Sequence, residues 1–393
     1  NTLTGNSGNN MLAGLGGSDT LNGGSGNDTL DGGTEIDTAT YLGSASGVTV
    51  SLALAGAQVT GGAGTDTLIA IENLTGSAFA DTLTGNTGNN IIAGLAGNDV
   101  LSGGAGNDTL DGGADIDTAS YFDAASGVTV SLALAGAQAT GGAGSDTLIA
   151  IENLTGSAFV DTLTGNTGDN LLIGLAGNDI LNGGAGNDTL DGGTDIDTAT
   201  YLGAASGVTV SLALAGAQVT GGAGTDTLIA IENLSGSALA DTLTGSTGNN
   251  TLIGLAGNDI LSGGLGVDRL EGGDNDDVLI GGVNWDTLIG GTGADRFQFG
   301  AAVAANFDRV VDFAIGVDKL AFTAAEYGLV AGSLGAANFT AGAAAIGGTA
   351  QFVYDSAIRT LSWDADGAGA ITAVRIATFD TAIALAATDF ILL

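Results

Sequence analysis

GGAGNDTLDGG, residues 103–113, holds the pattern that decides the fold. Gly103, Gly104 and Gly106 precede Asp108, and Leu110 follows two residues after the aspartate. Glycine takes positive φ without the steric cost of a Cβ, so the first three glycine positions read as a tight turn. Thr109–Asp111 then suits a short strand carrying one large apolar side chain. The same string surrounds Asp188, a close relative surrounds Asp28 and a diverged one surrounds Asp268, so a repeat of 80 residues recurs along the chain. Inside it runs a shorter period of nine: GNTGNNIIA, GLAGNDVLS, GGAGNDTLD and GGADIDTAS start at Gly85, Gly94, Gly103 and Gly112. The last array starts nonapeptides at Gly245, Gly254, Gly263, Gly272, Gly281 and Gly290.

Only the eighth position is regularly large and apolar, as at Leu30, Leu110 and Leu190. One inward side chain per nonapeptide predicts a thin roll of two facing sheets, with two nonapeptides to a coil. Turns nine residues apart then alternate sides, and turns 18 apart stack. Between nonapeptide blocks lie Tyr41–Thr60 and its copies Tyr121–Thr140 and Tyr201–Thr220, whose core reads GVTVSLALAGAQ. Its alternation predicts a strand with Val48, Val50, Leu52 and Leu54 on one face. The next stretch, GGAGTDTLIAIENLTGSAFADTLTG, is expected to continue the same solenoid with longer strands.

The chain has 393 residues, 43 acidic against six basic, for a net charge of −37. All six basic residues (Arg269, Arg296, Arg309, Lys319, Arg359, Arg375) lie after residue 268. Closely spaced carboxylates without cationic partners repel one another, so the first two thirds must be disordered or neutralised by an external cation. A hydrophobic content of 44% argues against disorder. Nucleic acid and anionic membrane need basic patches and are excluded as partners. No apolar run is long enough to span a bilayer. With no cysteine and no histidine, disulfides, Cys–His and Ser–His nucleophiles and a His/Cys zinc site are all ruled out. Paired carboxylates can hydrolyse glycosides, but every close Asp pair here repeats with the array, so no unique catalytic site is visible. The chain is read as not an enzyme. It begins at Asn1 without a signal peptide, the start expected of a processed or truncated chain.

Written as G-G-x-G-x-D-x-U-x, with U apolar, the nonapeptide resembles the calcium-binding repeat of RTX proteins, and the resemblance covers nearly all of residues 1–299. It implies an all-β fold: a right-handed parallel β-roll, or β-helix solenoid, with a C-terminal β-rich cap. The expected domains are 1–299, the roll, and 300–393, the cap and export-signal region. It implies multiple calcium ions held between stacked turns by position-six aspartates and glycine carbonyls. The candidate aspartates are Asp19, Asp28, Asp37, Asp66, Asp99, Asp108, Asp117, Asp146, Asp179, Asp188, Asp197, Asp226, Asp259, Asp268, Asp277, Asp286 and Asp295. The candidate glycines are Gly23, Gly24, Gly26, Gly103, Gly104, Gly106, Gly183, Gly184, Gly186, Gly263, Gly264 and Gly266. Calcium takes six to eight oxygen ligands, whereas magnesium demands near-ideal octahedra. Asn10, Asn90, Asn170 and Asn250 place a neutral amide at position six, so those turns are expected to be weak or empty. For Asp81, Asp161 and Asp241, in the diverged GSAFAD loop and its relatives, a metal ligand and a plain turn former both stand.

After Gly300 the repeat ends. NFDRVVDFAIGVDKLAF (306–322) is similar to the segment that follows the repeats in serralysin-type RTX proteins, although the HExxH zinc helix of those proteases is absent. The terminal TDFILL resembles the uncleaved signal read by type I exporters, and it also suits a last strand covering a sheet edge. Asp364 and Asp366 in WDADGAG read as a hairpin turn in preference to a calcium loop. Together these imply a secreted calcium-binding structural protein of the cell surface or extracellular matrix. Calcium ions and the type I exporter are its expected partners, with other copies of itself in filaments or layers. The alternative is the C-terminal secretion and folding module of a larger RTX enzyme or adhesin. Ice binding would need threonine throughout position three, which holds Ala, Ser and Leu as often.

Overall fold

In a computed structural model, which describes residues 1–304 and 306–393, strands pair in parallel at the predicted spacing. The chain divides into two units, Asn1–Asp197 and Thr198–Leu393. Each is a parallel β-roll, and there is no α-helix among the described residues.

In the first unit Thr2–Thr4 pairs with Thr20–Asn22, which pairs with Thr38–Thr40, each step in the register i to i+18. The intervening strand Met11–Ala13 pairs instead with Thr29–Asp31, through Leu12 and Leu30. Successive nonapeptides therefore feed two different sheets, which is the two-per-coil arrangement. Strands such as Thr20–Asn22 and Thr29–Asp31 bury only the middle residue. Leu21, Leu30, Leu83, Leu101, Leu110, Leu163 and Leu181 are all 0% exposed. Burying each such leucine contributes roughly 1.5–3 kcal/mol, and one per strand is what a three-residue strand can supply.

The glycines have two separate jobs. In the GGxGxD-type turns that carry aspartate at position six, positions two and four take the left-handed conformation, as at Gly104 (φ 85°) and Gly106 (φ 137°). Even non-glycine residues are held there: Leu95 at position two has φ 87° and Asp115 at position four has φ 83°. Position one does not need positive φ, contrary to the sequence expectation. A Cβ on Gly103 would lie 2.3 Å from Asp108 Oδ2, so glycine there makes room for the aspartate.

The Tyr41–Thr60 stretch also departs from expectation. Val48 and Val50 are buried, but the strand is only Thr49–Ser51, and Leu54 is exposed. The Gln58 side chain accepts from Ser51 N–H and donates to Ser51 C=O, which ends the strand. An antiparallel hairpin comes next, Ala57–Gly61 against Gly64–Ile69, turning at Gly61 and Gly64. Its second strand rejoins the roll, pairing Leu68 in parallel with Leu30. Gln138–Gly141 with Gly144–Ile149 repeats the device, and Gln218–Gly221 with Gly224–Ile229 does so in the second unit.

In the second unit the coils run past Gly300. Arg296–Phe299 pairs in parallel with Lys319–Phe322, and that strand pairs with Phe390–Leu392. On the other sheet Thr287–Thr292 pairs with Asp308–Val310, and that strand with Val374–Phe379. Phe390, Ile391 and Leu392 of the terminal TDFILL thus lie in a strand that extends a roll sheet. Antiparallel strands Gln351–Asp355, Thr360–Asp364 and Val374–Phe379 complete the end, and WDADGAG connects the last two of them. Leucine gives way to aromatics there: Phe322 packs on Phe299, Phe352 and Phe390, and Trp363 meets Tyr327 edge-on.

Candidate metal centres

Each position-six aspartate sits where the turn enters the strand, and its carboxylate is buried. Asp19, Asp28, Asp37, Asp99, Asp108, Asp117, Asp259, Asp268, Asp277, Asp286 and Asp295 are at most 2% exposed. One oxygen has a fixed partner, the amide of the equivalent residue one coil earlier. Asp81 N–H donates to Asp99 Oδ1 at 2.7 Å, and Asp99 N–H to Asp117 Oδ1 at 2.8 Å. In the second unit Asp241, Asp259 and Asp277 donate in turn to Asp259, Asp277 and Asp295, at 2.7 to 3.0 Å. The aspartates thus form ladders along the roll.

The other oxygen is the informative one. Oδ2 of Asp19, Asp28, Asp37, Asp99, Asp108, Asp117, Asp179, Asp259, Asp268, Asp277, Asp286 and Asp295 is buried and has no hydrogen-bond partner. It points at the position-one glycine, and a carbonyl from the next coil approaches the same spot. The place a Cβ would take on Gly272 is 2.2 Å from Asp277 Oδ2 and 2.6 Å from Gly290 O. On Gly14 the corresponding distances are 2.6 Å to Asp19 Oδ2 and 2.5 Å to Gly32 O.

Burial, with like-charged Asp81 and Asp117 alongside, pushes Asp99 up to about 7. Burial likewise pushes Asp277 to about 7 and Asp108, Asp179, Asp259, Asp268, Asp286 and Asp295 to about 6. A buried carboxylate oxygen with no partner is costly, and a hard cation removes that cost. The donors are all oxygen, as calcium requires. Among the described residues no three acidic side chains converge, so backbone carbonyls must supply much of any coordination shell.

Not every predicted residue shares this geometry. Asp66, Asp146 and Asp226 lie in the hairpins, where a hydroxyl from Thr60, Thr140 or Thr220 donates to Oδ2 at 3.2 Å. Asp81 has protein partners on both oxygens: Ser77 N–H at 2.6 Å on Oδ2, and Ser77 Oγ and Val48 N–H on Oδ1. Asp161 and Asp241 repeat this with Ser157 and Ser237. The turn-former reading fits these three.

The asparagine turns also close themselves. Asn90 Oδ1 accepts Asn86 N–H at 2.8 Å, while Nδ2 donates to Glu72 O, one coil earlier, at 2.6 Å. Asn170 and Asn250 do the same to Glu152 O and Glu232 O. An amide N–H here meets the carbonyl of a stacked turn that a cation would otherwise meet.

Sequence reading missed several acidic members of the ladders. Glu72 and Glu152 accept the amides of Asp37 and Asp117 at 2.9 Å. Asp308 and Asp318 accept those of Asp286 and Asp295 at 3.1 and 3.0 Å. Their signal is an acidic residue two places before a buried apolar one: Glu72–Leu74, Glu152–Leu154, Asp308–Val310 and Asp318–Leu320.

The family described as "RTX calcium-binding nonapeptide repeat (4 copies)" matches residues 4–39, 71–95, 84–119, 155–190, 164–199, 235–270 and 263–297. The chain is an RTX calcium-binding protein. Its repeats bind calcium ions, several to an array, and the matched stretches leave out the three antiparallel hairpins. Among solved structures, the extracellular lipase LipA from Serratia marcescens shares 18% identity with this RTX chain, over 61% of it, at a TM-score of 0.16. The chain spans only 40% of that lipase's length, and so loose a superposition says nothing of activity. No curated protein matches the sequence. Among the described residues no helix is long and apolar enough to cross a membrane.

Proposed function

We propose that this RTX chain is a secreted, non-enzymatic structural protein of the cell surface or extracellular matrix that folds when calcium reaches it outside the cell. The observation that carries the reading is the row of buried aspartate oxygens without partners, in a chain of 43 acidic and six basic residues. Calcium supplies the positive charge and takes oxygen ligands. The residues proposed to hold it are stacked aspartates: Asp19 with Asp37, Asp99 with Asp117, Asp179 with Asp197, Asp259 with Asp277 and Asp295, and Asp268 with Asp286. Asp28, Asp108 and Asp188 each stack on an asparagine turn. The carbonyls of their turn glycines complete the shells. Asp66, Asp146 and Asp226 are proposed as weaker ligands, because a threonine hydroxyl already meets the oxygen that would bind.

Without calcium the charged array stays extended, a form suited to a type I exporter, and millimolar calcium then couples binding to folding. The TDFILL tail supports that route. Asp389 is 2% exposed and Phe390–Leu392 is in a sheet, so the tail is accessible as an export signal only before folding. The three near-identical 80-residue repeats favour a structural role, since array length is then the product, and association of copies end to end would lengthen the array further. Circular dichroism decides the core of the proposal: little β signal in chelator, and recovery on adding calcium. Identical spectra in the two conditions refute it. Electron microscopy of the loaded protein separates single rods from filaments and lattices.

A further inference from the structure

We propose that Asp308, which lies outside every nonapeptide, forms a further divalent-cation site with Asp286. The proposal rests on the calcium reading above and adds a site that the repeat pattern does not contain. Asp308 Oδ1 accepts Asp286 N–H at 3.1 Å. The strands after them pair Leu288 with Val310, so Asp308 stands one coil beyond Asp286 even though 22 residues separate them. The two residues are 1% and 3% exposed. Asp286 Oδ2 has no partner and lies 2.6 Å from where a Cβ on Gly281 would sit. Two residues before Asp308, Asn306 Oδ1 is also buried without a partner.

No side-chain cation compensates this pair among the described residues. The adjacent Arg309 forms a two-pronged pair with Asp380 at 2.7 Å, and Arg375 lies over the Phe307 ring at 4.6 Å. The second ladder of this unit ends differently. Asp318 Oδ1 accepts Asp295 N–H and its Oδ2 accepts Ala314 N–H at 2.7 Å. Asp312 takes the amides of Gly290 and Gly291, both at 2.9 Å. Backbone amides close that end, whereas at the Asp286–Asp308 end Asp286 Oδ2 is left buried without a partner. Two carboxylates are a sound start for calcium, and water fills what the protein does not supply. With a single glycine, Gly300, in the turn before Asp308, this site keeps more water than those between two glycine-rich turns and fills last.

Trp285, next to Asp286 and 5.0 Å from the Phe307 ring, makes the site observable. The only other tryptophan is Trp363. The test is a terbium titration of the calcium-stripped full chain carrying W363F, with selective tryptophan excitation. Sensitised emission should develop late in the titration. Its decay in water against heavy water should show a component with more bound waters than the ions excited directly. D308N should remove that component and leave the calcium-induced folding transition in place. A single, poorly hydrated population in the W363F chain overturns the proposal whether or not D308N folds. So does a hydrated component that survives D308N in folded protein. Failure of the underlying calcium reading looks different: no metal-induced folding in any of these chains.

Discussion

The nonapeptide array from Gly245 to Phe299 and the region after Gly300 build the same two sheets by different means. In the array one leucine per strand fills the core, at Leu252, Leu261, Leu270, Leu279 and Leu288, and turns present buried carboxylates with unpartnered oxygens. After Gly300 the core is aromatic, with Phe322 touching Phe299, Tyr327, Phe352 and Phe390. Beyond Asp308, which joins the last turns of the array, acidic groups such as Asp380 and Asp389 meet protein partners, Arg309 and Ala386 N–H. Thin strands with a single inward side chain cannot offset the charge of their own turns. Larger side chains and a few guanidinium groups can. One region therefore depends on metal and the other on packing.

Chelation tests this division with the largest expected effect. Amide exchange in chelator should become fast across residues 245–295 and stay slower at Gln351–Asp355 and Thr360–Asp364. Uniform loss or uniform protection would break the comparison. Acid is the next largest. The aspartates pushed to about 6 and 7 by burial have folded-state values above the roughly 3.9 of an unfolded aspartate. Their protonation favours the metal-free fold: the contribution is full below about pH 4 and is lost as pH rises through 6 to 7. Circular dichroism of the chain in chelator should thus show β structure returning on acidification, with the array responding more than the end.

Gly272→Ala should act locally. Its Cβ would fall 2.2 Å from Asp277 Oδ2 and 2.6 Å from Gly290 O, an overpacking of about 1–3 kcal/mol that raises the calcium midpoint of folding. Gly300→Ala, whose Cβ would meet nothing within 4 Å, should leave that midpoint unchanged. Arg309→Ala should have the smallest effect, because the pair with Asp380 is exposed and screened: a slight fall in Tm with the calcium midpoint kept.

The period of nine was legible because glycine, aspartate and leucine recur at fixed offsets, and each offset has one physical purpose. The purpose of the first glycine was misread, since only packing shows that its missing Cβ faces the aspartate. The hairpins at Gly61–Gly64 and its copies were read as continuing strands, because GGAGTD looks locally like another turn. Glu72 and Asp308 escaped notice for a related reason. Inserted residues change the spacing from 18 to 35 and 22, so a fixed period steps over them while the coil does not. The limits of the Val48–Leu54 strand were hidden by Gln58, whose side chain imitates a neighbouring backbone.

The self-closing asparagine turns bear on the order in which the roll assembles. Linear arrays begin folding wherever a coil forms with least opposition and then grow by neighbours. Asn90, Asn170 and Asn250 each join stacked turns through a neutral amide, so such coils need no ion to exist. Each 80-residue repeat carries one such seed, and ordering spreads outward from several origins at once, so that a longer array takes little more time to complete than a short one.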